Sequence, residues 1–102
     1  MELQTKAREI HASEALLDYT QALVAATREA RDLVSGLSPR GALALLSAAR
    51  GWALLAERDH LVPEDLQAVF IPVTAHRLRL APGLEQGAND ICQRILEQTP
   101  IP

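Results

Sequence analysis

Apolar residues return at three- and four-residue intervals along almost the whole chain, the spacing of one face of an α-helix. Leu3, Ala7 and Ile10 predict a short first helix over 2–10. Ser13 can cap a second helix over 14–31. There Leu16, Leu23, Ala26 and Ala30 share a face with Leu17, Thr20 and Thr27 beside it, and Asp18, Gln21 and Glu29 turn to water. Residues 32–36 read as a connector, with Gly36 free to take a positive φ. The third helix, 39–58, is apolar nearly all round: Ala42, Leu43, Leu45, Leu46, Ala49, Trp52, Ala53, Leu54 and Ala56. That pattern predicts a central helix with neighbours on several sides, Trp52 as its one large filler, and Gly51 as a point of close packing.

Pro63-Glu64-Asp65 opens a fourth helix whose apolar face is Leu66, Val69, Phe70 and Val73. Pro72 lacks the N–H for its i→i−4 bond, so a break or kink is expected after Ile71, followed by a shorter helix over 73–79. Residues 81–83 form a loop. A last helix over 84–98 uses Ala88, Ile91, Cys92, Ile95 and Leu96, and the tail from Thr99 should fray. No internal repeat and no strand pair is visible. The prediction is one all-α domain over 1–102, a small bundle of five to six helices around a long apolar central one.

Composition narrows the function classes. Aromatic residues are 3% of the 102 residues, so the core rests on Leu, Ala, Val and Ile. Thirteen acidic and ten basic side chains give a net charge of −3, which argues against a nucleic-acid surface. The single Cys92 excludes an internal disulfide and a multi-cysteine zinc site, and fits a reducing, cytoplasmic setting. The N-terminus has no signal-peptide core, and the apolar run over 42–56 is too short to span a bilayer. No GxxxxGK[ST] loop occurs, so this chain is not expected to hydrolyse a nucleotide alone.

His11, His60 and His76 fall at a loop, a turn and a helix end, without the spacing of a metal-ligand set. Cys92 reads as a small core residue, Ser38 as an N-cap, and Glu64 and Asp65 as partners of a helix dipole. Arg77 suits the last carbonyls of a helix. Arg40 is harder to place. Pro39 sits at the first helical position, and Arg40 next to it brings a cation to the positive end of the dipole. Either it extends into water or it faces an anion.

Beyond these single residues, the stretch from Tyr19 to Leu80 resembles the C-terminal helical lid of the MoxR-type AAA+ ATPases. The resemblance runs in order through Ala26-Thr27-Arg28, Gly36-Leu37-Ser38-Pro39-Arg40, the Ala42 to Arg50 helix, Arg58-Asp59-His60-Leu61-Val62-Pro63-Glu64-Asp65-Leu66, and Val73-Thr74-Ala75-His76-Arg77-Leu78. It implies a lid closing over ATP and Mg2+ held by a P-loop domain of the same polypeptide. Arg40 would be the sensor-2 arginine, with a catalytic role, and Pro39 and Arg40 would lie at the nucleotide. It also implies a homo-oligomeric, chaperone-like ring and von Willebrand factor A-domain proteins as partners. Glu57 stands where the family often has Gly, and Val62 where it often has Thr. The P-loop, the acidic magnesium motif, sensor 1 and the arginine finger belong to the preceding domain and are not in this sequence. Two other readings are a freestanding helical protein-interaction module and a histone-fold-like dimerisation module.

Overall fold

In the computed structural model the described residues are Lys6, 9–83 and 86–102. The expected helix over 2–10 lies largely outside them. Four α-helices follow: α1 (Glu14–Glu29), α2 (Pro39–Leu55), α3 (Pro63–Thr74) and α4 (Ala88–Gln98). A 3-10 turn, Ala75–Arg77, follows α3. Two short strands, β1 (Leu33–Ser35) and β2 (Arg79–Leu80), pair antiparallel, with Leu33 opposite Leu80 and Ser35 opposite Arg79. The fold is helical as expected, but among the described residues the helix count is lower, and the strand pair corrects the reading of 32–36 as a bare connector. Strands of three and two residues are too short to show a two-residue alternation.

Three of the helix starts have a local cause. The Ser13 hydroxyl accepts the Leu16 N–H at 3.2 Å, and the Ser38 hydroxyl accepts the Gly41 N–H at 3.0 Å. Val62, before α3, has no side-chain acceptor. Instead Asp65 accepts the Val62 N–H at 2.9 Å while donating its own N–H to the Val62 carbonyl at 3.0 Å. That same carboxylate, 1% exposed, is ion-paired with Arg58.

The helix α2 is long but is not buried all round. Gly41, Leu45, Ala49 and Ala53 form one inward stripe, packed mainly on α3. Leu43 and Leu55 are exposed, and Trp52 is half exposed, so Trp52 is not the core filler expected. Trp52 lies off the inward stripe, beside the fully buried Ala53, so it is its face of the helix that leaves it exposed. A Cβ on Gly51 would meet nothing within 4 Å, so no close packing explains that glycine. The large buried residues are instead Leu23, Leu37, Leu45, Leu66, Phe70 and Ile91, drawn from α1, the α2 approach, α2, α3 and α4.

Pro72 does not end its helix, since α3 continues to Thr74. The carbonyl its ring leaves without a donor belongs to Ala68. Ala68 and Pro72 are both exposed, so water can take the place of the missing N–H. The expected helix over 73–79 is replaced by the 3-10 turn and β2. The last helix starts at Ala88 rather than 84, after Gly87 at its N-cap. Arg94 of α4 grips Asp32, just before β1, through two hydrogen bonds of 2.7 and 2.6 Å. The tail is anchored further than expected: Thr99 is buried and donates its hydroxyl to the Ile95 carbonyl at 2.7 Å. No helix among the described residues is long and apolar enough to cross a membrane.

Candidate functional site at the start of the second helix

The end of α1 and the start of α2 meet around Leu37. Gly36 passes so close to α1 that a Cβ there would lie 2.5 Å from the Thr27 carbonyl oxygen and 2.7 Å from the Arg28 Cα. The glycine is therefore needed for close approach. Its φ is not positive, unlike that of Gly83, which corrects the expectation from the sequence.

Leu37, 1% exposed, has both backbone polar groups taken up by α1 side chains. Its N–H donates to the Thr27 hydroxyl at 2.9 Å, and its carbonyl accepts from Arg28 Nε at 2.9 Å. Thr27, fully buried, passes its own hydroxyl proton to the Val24 carbonyl at 2.6 Å. The Leu37 side chain fills the space beside Gly41, where a Cβ would come within 2.6 Å of its Cδ1. On the same turn, that Cβ would lie 3.4 Å from Arg77 Cδ. Arg77 in turn donates to the Val73 carbonyl, as the sequence suggested for a last-turn arginine, and lies 3.2 Å from His76 Nε2.

Ser38, Pro39 and Arg40 follow directly and are exposed. Pro39 occupies the first helical position and lines a groove of about 580 Å³ between α1 and α2, with Arg28, Leu17, Val24, Leu43 and Leu46. Among the described residues, the side chain of Arg40, like those of Arg31, Arg50 and Arg79, makes no hydrogen bond or ion pair, whereas Arg28, Arg58, Arg77 and Arg94 each have a partner; of the unpaired four, Arg40 is the one in the first turn of a helix. A planar, permanently charged guanidinium beside the N–H groups of a helix start can give two parallel hydrogen bonds to phosphate oxygens. These donors suit an anion. Among the described residues no three His, Cys, Asp or Glu side chains gather to hold a metal ion.

The remaining candidates are placed as follows. His11 and His60 sit side by side in an isolated parallel bridge, with the His11 N–H on the Asp59 carbonyl at 2.8 Å and the Leu61 N–H on the His11 carbonyl at 2.8 Å. Asp59 titrates below the usual aspartate value because His60 Nδ1 hydrogen-bonds it at 3.0 Å. Asp32 is likewise lowered by its hydrogen bonds with Arg94. Cys92 is fully buried, and loss of solvation pushes its thiol up to about 11, which suits an inert core residue. Reading single residues missed the roles of Thr27, Arg28 and Gly36. The signal in the sequence is that Ala26-Thr27-Arg28 and Gly36-Leu37 belong to the ordered resemblance.

Comparison with known proteins adds an independent line. The model of the AAA lid domain family matches residues 25–97. Protein MoxR of Methylorubrum extorquens is 46% identical over 71 residues, covering 66% of this chain and 21% of that protein. Chaperone MoxR1 of Mycobacterium tuberculosis is 32% identical over 114 residues, covering 100% of this chain and 30% of that protein. A crystal structure of a protein assigned as an ATPase from Cytophaga hutchinsonii superposes with a TM-score of 0.90 at 28% identity. It covers 96% of this chain and 33% of that one. The chain thus spans a third or less of the length of each of these relatives.

Proposed function

The chain belongs to the AAA lid domain family and is of the MoxR type, and from that premise we propose that it closes over ATP held by a P-loop domain of the same polypeptide. Arg40 serves as the sensor-2 residue. The observation that carries this reading is the contrast at the start of α2: a backbone held on two sides, carrying an exposed guanidinium with no partner among the described residues. Such a group suits a charge supplied from outside the chain.

In phosphoryl transfer the protein contributes mainly positioning and stabilisation of developing charge. ATP supplies the transferable phosphoryl group. Arg40 donates to its oxygens, and the Ser38 cap with Pro39 holds the turn from which Arg40 projects. Mg2+ would be held by acidic groups of the ATPase domain. By the same reading the polypeptide assembles as a homo-oligomeric, chaperone-like ring in the cytoplasm and acts on von Willebrand factor A-domain proteins.

The test is Arg40→Ala in the full-length ATPase. Turnover should fall by about 10²-fold or more, on the scale of losing one transition-state charge donor, while the circular dichroism melt stays unchanged. Wild-type turnover in a folded Arg40→Ala protein would refute the sensor role.

A further inference from the structure

We propose that Thr27 and Arg28 are positioning residues for Arg40: the last turn of α1 sets where the guanidinium projects by fixing both backbone polar groups of Leu37. This rests on the sensor reading of Arg40 and adds residues that touch neither nucleotide nor Arg40.

The argument starts from what Leu37 needs. It is nearly fully buried, so its N–H must be paired or carry the cost of an unsatisfied donor. A single acceptor would suffice for that. Instead α1 supplies two adjacent side chains with opposite roles, an acceptor from Thr27 and a donor from Arg28, one to each backbone group of the same residue. Two hydrogen bonds to one residue from neighbouring positions fix its orientation as well as its place.

Thr27 has little freedom of its own. Its hydroxyl proton is committed to the Val24 carbonyl, which leaves its lone pairs for Leu37. Gly36 brings the two segments into near contact, and a Cβ there would have to displace backbone of α1. On the far side, the Leu37 side chain occupies the space above Gly41, in the first turn of α2, so the turn moves with Leu37. Arg40 lies three residues after Leu37 and one before Gly41. Its root is thus bracketed by residues that α1 controls.

Arg28 is informative because it is exposed. Water could hydrate the Leu37 carbonyl on that side, so satisfaction alone does not call for an arginine. A charge-assisted bond to a carbonyl is roughly twice as strong as a neutral one and has a narrower geometry. Arg28 and Pro39 also line the same groove. A guanidinium misplaced by about 1 Å at a reacting phosphate can cost about 10²-fold in rate. The gain from a rigid mount is therefore kinetic.

The experiment is a double-mutant cycle in the full-length ATPase. Arg28→Ala should lower kcat by about tenfold when Arg40 is present and by less than about twofold in the Arg40→Ala background. Arg28→Lys should recover part of the loss. An equal loss in both backgrounds, or none with Arg40 present, would overturn the proposal, because a merely structural role does not depend on Arg40. A second measurement is independent of catalysis: hydrogen exchange in Thr27→Val should speed up at the hydrogen-bonded amides of Leu37, Gly41 and Ala42 while α3 and α4 keep their protection. Unchanged exchange at those amides would also overturn it. If Arg40→Ala alone leaves turnover intact, the sensor reading fails by itself, and the exchange result still decides whether α1 holds the start of α2.

Discussion

Glu57 has φ 60°, in the left-handed region, and is the single non-glycine residue with positive φ among those described. It ends α2. The Glu57 N–H bonds the Leu54 carbonyl at 2.9 Å, and the Arg58 N–H bonds the Ala53 carbonyl at 3.0 Å, the paired 5→2 and 6→1 closure of a Schellman arrangement. A residue with a Cβ costs about 1–2 kcal/mol in this conformation, and glycine does not. Glycine loses about 0.5–1 kcal/mol more backbone entropy on folding, which offsets part of that. Removing a carboxylate from the negative end of the helix dipole adds a few tenths of a kcal/mol. Glu57→Gly should therefore stabilise the chain by about 1 kcal/mol. For a domain of this size that raises the thermal midpoint by about 4–8 °C, read by circular dichroism at 222 nm. Glu57→Gln changes only the charge and should give no more than a third of the shift. A neutral or destabilising Glu57→Gly would refute the strain argument. Equal shifts for Gly and Gln would assign the whole effect to charge.

Other outcomes follow from the same geometry. Arg58→Ala strands the buried Asp65 carboxylate and should cost about 2–4 kcal/mol in urea unfolding, a larger loss than Asp59→Ala at the exposed neighbour. Leu45→Ala, at a fully buried site, should cost about 2–5 kcal/mol, whereas Trp52→Ala should cost about 1 kcal/mol or less, despite the larger side chain. Because Arg94 holds the Asp32 pKa below its ordinary 3.8, the pair adds stability above that pH and loses it as pH falls through the lowered folded value. The stabilities of wild type and Asp32→Asn should therefore differ above pH 3.8 and converge once pH falls below the lowered folded value.

Residues with strong local chemistry were legible in the sequence. Ser13 and Ser38 cap the helices they were expected to cap, and the apolar faces of α3 and α4 are the ones periodicity picked, whereas on α1 the buried Tyr19 and Val24 were missed and Leu17 is exposed. What periodicity could not see was which side of α2 has neighbours. Trp52 and Leu43 look like core in a one-dimensional pattern, but α2 is covered along a single stripe. Of the break or kink that Pro72 suggests, the break does not occur, and the sequence does not show that the proline and Ala68, whose carbonyl it orphans, lie on an exposed face. At the candidate site, Pro39 and Arg40 stood out by their own oddness. Thr27 and Arg28 did not, because a threonine and an arginine at the end of an amphipathic helix are unremarkable until the backbone they hold is in view.

The Asp32–Arg94 fork also bears on the order of assembly. It joins positions 62 residues apart, and β1 must likewise await β2, while α2 and α3 are linked by a short turn and latched by Arg58 and Asp65 only seven residues apart. On the ribosome, which releases the chain from its N-terminus, α2 and α3 can close as a local hairpin early. The first helix of the domain has to wait for the last. Until α4 emerges, α1 has its grip on Leu37 but lacks the cover of Ile91 and Ile95, so stalling in that interval leaves an apolar flank for chaperones and proteases to find.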